Sequence, residues 1–175
     1  RSASGYKGIF SMTADSFKAY ATARKEYRSI SSLSSISADG IYLWAGESPP
    51  TIDDTNKNQF DGRKVVFISP GSITIKAAVF SPSGGSAAFV SPSIIFDKDT
   101  READGIFIAN EMTTGENSSQ GLKVVGNIYV RDTFVNDRKW PNNNVPSLFM
   151  VFDQNKFLDL LPYLSTVGYE WKQTQ

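Results

Sequence analysis

The chain has 175 residues, 40% of them hydrophobic, and its 18 basic side chains are balanced by 18 acidic ones. That is enough apolar material for one globular core, and a balanced charge without a long basic run argues against a phosphate-neutralising nucleic-acid surface. With neither Cys nor His, thiol catalysis, Ser-His-Asp triads, disulfide frameworks and almost every transition-metal site are excluded, which leaves carboxylates, amides, hydroxyls and lysines as the available chemistry.

No apolar run approaches the roughly 18 to 20 residues that carry a helix across a bilayer, so no membrane span is expected in this segment. Arg1 stands first rather than Met, and the chain is expected to be a processed or excised piece of a larger precursor. Its Ser, Thr and Asn richness leans towards an exported protein.

Residues 13–28, TADSFKAYATARKEYR, bring Phe17, Tyr20, Ala21 and Tyr27 close to one helical stripe. Thr13 or Asp15 is the candidate N-cap, and Arg24, Lys25 and Arg28 suit the negative end of the dipole. The spacing predicts an amphipathic helix whose aromatic stripe docks on a core. Residues 29–37, SISSLSSIS, read as a polar connector or weak strand.

From Ala38 the pattern changes to short β-rich runs punctuated by Gly, Pro, Ser, Asn and Asp. The runs repeat: ADGIYLWAGE at Ala38 returns as ADGIFIANE at Ala103, and Phe67-Ile68-Ser69-Pro70 returns as Phe89-Val90-Ser91-Pro92. Tyr42, Phe67, Phe89, Phe107, Tyr129 and Val151 fall 25, 22, 18, 22 and 22 residues apart. A second column follows with Ile73 and Ile75, Ile94 and Phe96, Met112 and Val135. A period near 22 with several short strands per repeat is the pattern of a β-solenoid, in which no coil buries its inward residues alone. A β-sandwich is the alternative, but it gives no reason for the ADGI-aromatic segment to return after three periods.

SLFMVFD at 147–153 is a predicted strand. DQNKFLDLLPYL at 153–164 is a predicted short helix, capped by Asp153, with Phe157, Leu160 and Leu161 inward and Pro162 near its stop. The fold class is therefore mainly β, a short solenoid with an N-terminal helix and a C-terminal capping helix, which would cover one open end each or the same flank. It is organised as residues 1–37 (helix and connector), 38–152 (solenoid) and 153–175 (cap) of one compact domain.

The succession GRKVVFISPGSITI, ADGIFIANEMTTG, GLKVVGNIYVRDTF and FMVFDQNKFLDLLPYL is similar to a group of largely uncharacterised bacterial exported and surface proteins. The resemblance rests on Gly105, Phe107, Ala109, Leu122, Gly126, Arg131, Asp153, Phe157, Leu158, Leu161, Pro162 and Trp171, and covers residues 62–171. It implies a right-handed β-helix of an envelope or surface protein, sometimes in pilus-like or surface-layer contexts, and no activity. The chain departs from the group at Ser69-Pro70 and Ser91-Pro92, where a Gly-Asp or Gly-Asn turn is usual.

Three groups of residues carry candidate chemistry. Asp53, Asp54, Asn56, Asn58 and Asp61 resemble a Ca²⁺ loop, yet such a loop needs Gly at its sixth position and a carboxylate at its twelfth. Counted from Asp54 these are Gln59 and Val65, and a solvated Asx-rich turn is the competing reading. Asp97, Asp99, Arg101, Glu102 and Asp104 could serve a glycan-cleaving β-helix, against the plain reading of a charged loop between coils; Arg131, Asp132, Asp137, Arg138 and Lys139 form a second such cluster. Trp140 with Asn142, Asn143 and Asn144 offers an aromatic and amide surface for a partner or glycan, whereas Trp44 and Trp171 are expected to be packed.

The expectation is a non-catalytic structural or adhesive module, extracellular or on a bacterial surface, needing no cofactor unless Ca²⁺ occupies the Asx-rich turn. Its partners would be other surface or appendage proteins, further copies of itself, or a glycan, and no nucleic acid. The alternative is a glycan-binding or glycan-cleaving β-helix.

Overall fold

A computed structural model of the chain describes residue 19 and residues 27–117, 119–139 and 145–164. Ten strands run through them: β1 (Tyr27–Ile30), β2 (Gly40–Trp44), β3 (Thr51–Ile52), β4 (Lys64–Ile68), β5 (Ile73–Ile75), β6 (Val79–Phe80), β7 (Ser86–Phe96), β8 (Glu102–Asn117), β9 (Leu122–Arg138) and β10 (Leu148–Val151). Helix α1 (Gln154–Leu164) follows. Every strand pairing is parallel. The order β1-β2-β4-β7-β8-β9-β10, with β3, β5 and β6 attached beside it, is a β-solenoid of about five turns. An antiparallel sandwich is thereby excluded.

Register explains the repeat. Ile41 pairs with Val66, Val66 with Ala88, and Ala88 with Ile106, so the two ADGI segments lie three coils apart on the same side of the stack. Tyr42, Phe67, Phe89 and Phe107 are register partners in succession, and all four are fully buried. Phe60 and Phe80 enter the same interior from a 3-10 turn and a short strand, with ring centroids 5.4 and 5.3 Å from Phe89. Phe89 stacks on Phe107 at 5.5 Å and 11°. These rings fill the lumen at offset-stacked and edge-on geometries, which favour aromatic pairs beyond their buried area.

The Ser-Pro segments are corners. In successive coils the N–H of Gly71 donates to Ser69 Oγ at 3.3 Å and the N–H of Ser93 to Ser91 Oγ at 3.2 Å. Ser91 Oγ also donates, with Gly71 and Ser93 carbonyl oxygens at 2.6 and 2.7 Å. A serine hydroxyl thus turns the chain where a Gly-Asn turn would otherwise be needed.

Three positions of the expected columns are corrected, two of them by one residue. Phe107 pairs with Ile128, and Tyr129 with Ile108; Tyr129 therefore lies on the outer face, and Val151 pairs with Val125 rather than extending the aromatic column. Likewise Met112 pairs with Phe134, not Val135. The β8–β9 offset is 21 residues up to a bulge at Ala109/Glu111, 22 from there to Thr114 and 21 again at Asn117, and a slip of one residue moves a side chain to the opposite face. Gly126, at φ +126°, stacks so closely on Gly105 that a Cβ would strike the Gly105 carbonyl oxygen.

Of the helix expected over 13–28, residues 13–18 and 20–26 lie outside those described. Tyr27 and Arg28 open β1 instead, adding a rung before residue 38. Tyr42, the aromatic of the second rung, uses its hydroxyl there: it accepts from Arg28 Nη1 at 2.8 Å and donates to the Ala38 carbonyl at 2.8 Å.

Helix α1 begins and ends where expected, with the N–H of Asn155 donating to Asp153 Oδ1 at 2.9 Å and Pro162 in the last turn before Leu164. Of the two placements expected, an end or a flank, α1 takes the flank. Leu160 and Leu164 are buried in a second cluster with Ile41, Val66, Ala88, Val90, Ile106 and Ile108, so α1 lies along the outer flank of β2, β4, β7 and β8. That side of the stack is buried on both faces, which is why VVFI and GIFIA are apolar at both parities rather than alternating. At the far end Leu148 and Met150 pair with buried Leu122 and Val124, yet Met150 is 59% exposed. Together with Ile128, Val130 and Phe134 they line a hollow of about 220 Å³ at the mouth of the lumen.

Two outcomes follow from this packing. Phe107→Ala should cost about 3–5 kcal/mol, measured by denaturant unfolding, because the ring fills the lumen between Phe89 and Phe96. Deleting residues 153–175 should expose Ile41, Val66, Ile106 and their neighbours, giving oligomers or aggregate on size-exclusion chromatography; a monodisperse monomer would contradict the clamping role of α1.

Candidate functional site

Two places gather polar side chains with shape. The first is a cleft of about 840 Å³ at the β1 end, lined by Trp44, Ser48, Pro50, Thr55, Asn56 and Gln59 among others. Trp44 is half-buried, as expected in part, packing its ring 6.0 Å from Phe67 while its indole N–H donates to the Ser48 carbonyl at 2.8 Å. An aromatic face beside amides and hydroxyls can stack and hydrogen-bond a polar ligand.

The second is the seam under α1. Lys64 Nζ lies 2.7 Å from Asp159 Oδ1, and Ser86 Oγ donates to Asp159 Oδ2 at 3.0 Å. Those bonds hold the Asp159 carboxyl below its ordinary value, and the same hydrogen bond raises the Lys64 ammonium above its own. Deeper in the seam, Lys156 Nζ lies 3.0 Å from Asp104 Oδ2, with the side chains 15% and 9% exposed. Lys156 also donates to the Gly85 carbonyl at 3.1 Å, and Ser81 Oγ to Asp104 Oδ2 at 3.1 Å. Asp104 Oδ1 and Asn127 Nδ2 are buried without a partner.

The residues of the Asx-rich turn do not converge. Asp53 Oδ1 accepts from the N–H and hydroxyl of Thr55 at 2.9 and 2.6 Å, which lowers its pKa. Asp54 pairs with Lys57 at 2.7 Å. Asn56 bridges Asp53 N–H and the Thr51 carbonyl, Asp61 Oδ1 accepts from Ser83 N–H at 2.8 Å, and the Asn58 side chain is exposed. Each group closes its own turn or ties it to the next coil.

The 97–104 cluster is dispersed as well. Asp97 Oδ1 caps the N–H of Asp99 in a turn, Glu102 pairs across the ladder with Lys123 at 3.2 Å, and Asp104 is buried under α1. Arg138, expected in a solvated charged loop, is instead 2% exposed. Its Nη2 donates to the Asp97 carbonyl at 2.7 Å and its Nη1 to that of Gln120 at 3.3 Å, bracing two coils. Burial pushes its guanidinium below the usual range, opposed by Asp97 and Asp99. Arg131 and Asp132 form an exposed pair. Trp140, Asn142, Asn143, Asn144 and Trp171 lie outside the described residues.

Lys64, Asp159, Lys156 and Asn127 drew no attention in the sequence. The one available signal was Asp104, a carboxylate inside an apolar strand. Comparison with protein-family models, curated proteins and solved structures finds no match.

The seam makes stability depend on acid. Asp159 has a folded pKa below its ordinary 3.8, so its contribution is complete above that value and is lost as the pH falls through the lowered one. Thermal melts between about pH 5 and pH 2 should therefore show Asp159→Asn losing less stability than the parent chain over that window. At the alkaline end the raised Lys64 works in the opposite sense, its contribution disappearing as the pH climbs through its folded value.

Proposed function

We propose that this chain is a non-catalytic structural module of a bacterial surface or appendage protein, a stiff stack that presents corner loops for assembly or attachment. The observation that carries the reading is the unbroken parallel ladder from β1 to β10 around a phenylalanine-filled lumen. Such a stack pairs each coil's backbone with its neighbours and leaves its corners free to vary. The dispersal of the 97–104 carboxylates supports it, since paired acids set for glycoside cleavage must face one another across a substrate. The surface location rests on the resemblance over residues 62–171.

A glycan-binding reading draws on the cleft beside Trp44, where a ring, amides and hydroxyls meet. A glycan panel combined with a reducing-sugar assay separates the readings. The structural module gives neither retention nor released sugar. Retention abolished by Trp44→Ala would favour glycan binding, and released sugar would overturn the non-catalytic assignment.

A further inference from the structure

The two ends of the stack differ. At the first rung Arg28 stands in register with Tyr42, and its guanidinium lies 5.6 Å from the Tyr42 ring centroid while Nη1 donates to the hydroxyl. Arg28 is exposed, so a hydrated charge closes the aromatic column there. The other end carries no such closure among the described residues. There β10 covers β9 only at Leu122–Val125, and beyond it Ile128, Val130 and Phe134 line the hollow with Leu148 and Met150. Phe134 and Met150 are 38% and 59% exposed, because α1 is spent on the flank and not on this end.

The hollow has the size of one side chain. Its volume of about 220 Å³ lies below the roughly 300 Å³ at which small-molecule pockets begin, whereas an apolar cavity of about 150 Å³ holds a benzene ring. All five lining residues are apolar, so the occupant it favours is an aromatic or aliphatic side chain. The chain carries one in a fitting frame. Gly8-Ile9-Phe10 repeats Gly105-Ile106-Phe107 and, with Tyr for Phe, Gly40-Ile41-Tyr42. In both described triads the Ile belongs to the flank cluster and the aromatic to the lumen. Residues 8–12, Gly-Ile-Phe-Ser-Met, lie outside the described residues and are joined to β1 by residues 13–26.

We propose that the mouth at β9 and β10 receives residues 8–12 of a second copy of this chain, with Phe10 in the hollow, so that copies join head to tail. Stacked on its own β1, the segment would set an apolar rung on the Arg28 charge. To reach its own mouth it would have to recross the stack from β1 to β9, five rungs or about 24 Å at about 4.8 Å each. In a second copy set end to end with the first, β1 already faces that mouth. A contact between two different surfaces is heterologous and continues into an open chain of copies unless it closes into a ring. The inference rests on the reading of the chain as a structural module and names the partner with which that module assembles.

Sedimentation velocity of the full chain from micromolar to millimolar concentration tests it, with circular dichroism reporting whether each variant folds. The parent should pass from monomer to dimer and longer species as its concentration rises. Phe10→Asp, which spoils the segment, and Met150→Asp, which spoils the mouth, should each remain monomeric. Mixing the two should give a one-to-one dimer and nothing longer, because each variant keeps the half that the other lacks. An excess of a synthetic peptide of residues 5–14 should return the parent to monomer, a readout that needs no variant to fold. A parent that stays monomeric throughout overturns the inference and leaves the structural module with other chains as its partners; self-association of Phe10→Asp would then mean that the segment covers its own mouth. Association that survives both substitutions, or ignores the peptide, lies elsewhere on the surface and overturns it as well. Sugar released in the glycan assay would sink the module reading whatever the sedimentation shows.

Discussion

Everything in this molecule depends on each coil having a neighbour. A single turn of about 22 residues cannot enclose its own aromatic side chain, so Phe67 is buried only because Tyr42 and Phe89 are its partners in adjacent rungs. The parallel ladder fixes that alignment. Phe60 and Phe80 then fill the spaces that the column leaves, so the lumen is continuous from Tyr42 to Met112.

The same constraint leaves two surfaces unsatisfied. The flank of β2, β4, β7 and β8 carries a second apolar set, and α1 satisfies it by lying across the coils rather than along one of them. An 11-residue helix spans about 16 Å at 1.5 Å per residue, close to the height of four strands about 4.8 Å apart. It therefore ties early rungs to late ones: Asp159 reaches Lys64 on β4 while Lys156 reaches Asp104 on β8. The mouth of the lumen at β10 is the other surface, and its inward residues Met150 and Phe134 remain exposed among the described residues.

Electrostatics follows from where each carboxylate lands. Asp39 and Asp104 occupy the same position of the repeated ADGI segment. Asp39 is exposed and accepts the N–H of Lys64 at 2.9 Å, whereas Asp104 is buried with a lysine and keeps one oxygen unpaired. One motif thus ties its coil to the next in one place and carries a buried ion pair three coils later.

Much of the fold was legible in the chain itself. The period, the ADGI and Phe-x-Ser-Pro returns, the columns through Phe107 and the Asp153 cap are local patterns, and a solenoid is built from local patterns repeated. The local β8–β9 spacing, 21 residues at Phe107 and 22 at Met112, which seats Ile128 and Phe134 rather than Tyr129 and Val135, was not legible, because a difference of one residue leaves composition unchanged while reversing which face a side chain takes. The Asx-rich turn and the 97–104 cluster looked like sites because proximity in sequence was read as convergence; the backbone sends their oxygens to separate turns and coils. Sequence by itself determined the period and the recurring aromatic columns that favour stacked coils over a sandwich, since a coil of that length buries its inward side chain only against its neighbours. Only the tertiary structure decided that α1 crosses the flank, where Lys156 meets Asp104 and Asp159 meets Lys64. Those pairs join the helix to two distant strands, and their convergence is fixed by strand register and helix docking rather than by any spacing a sequence displays.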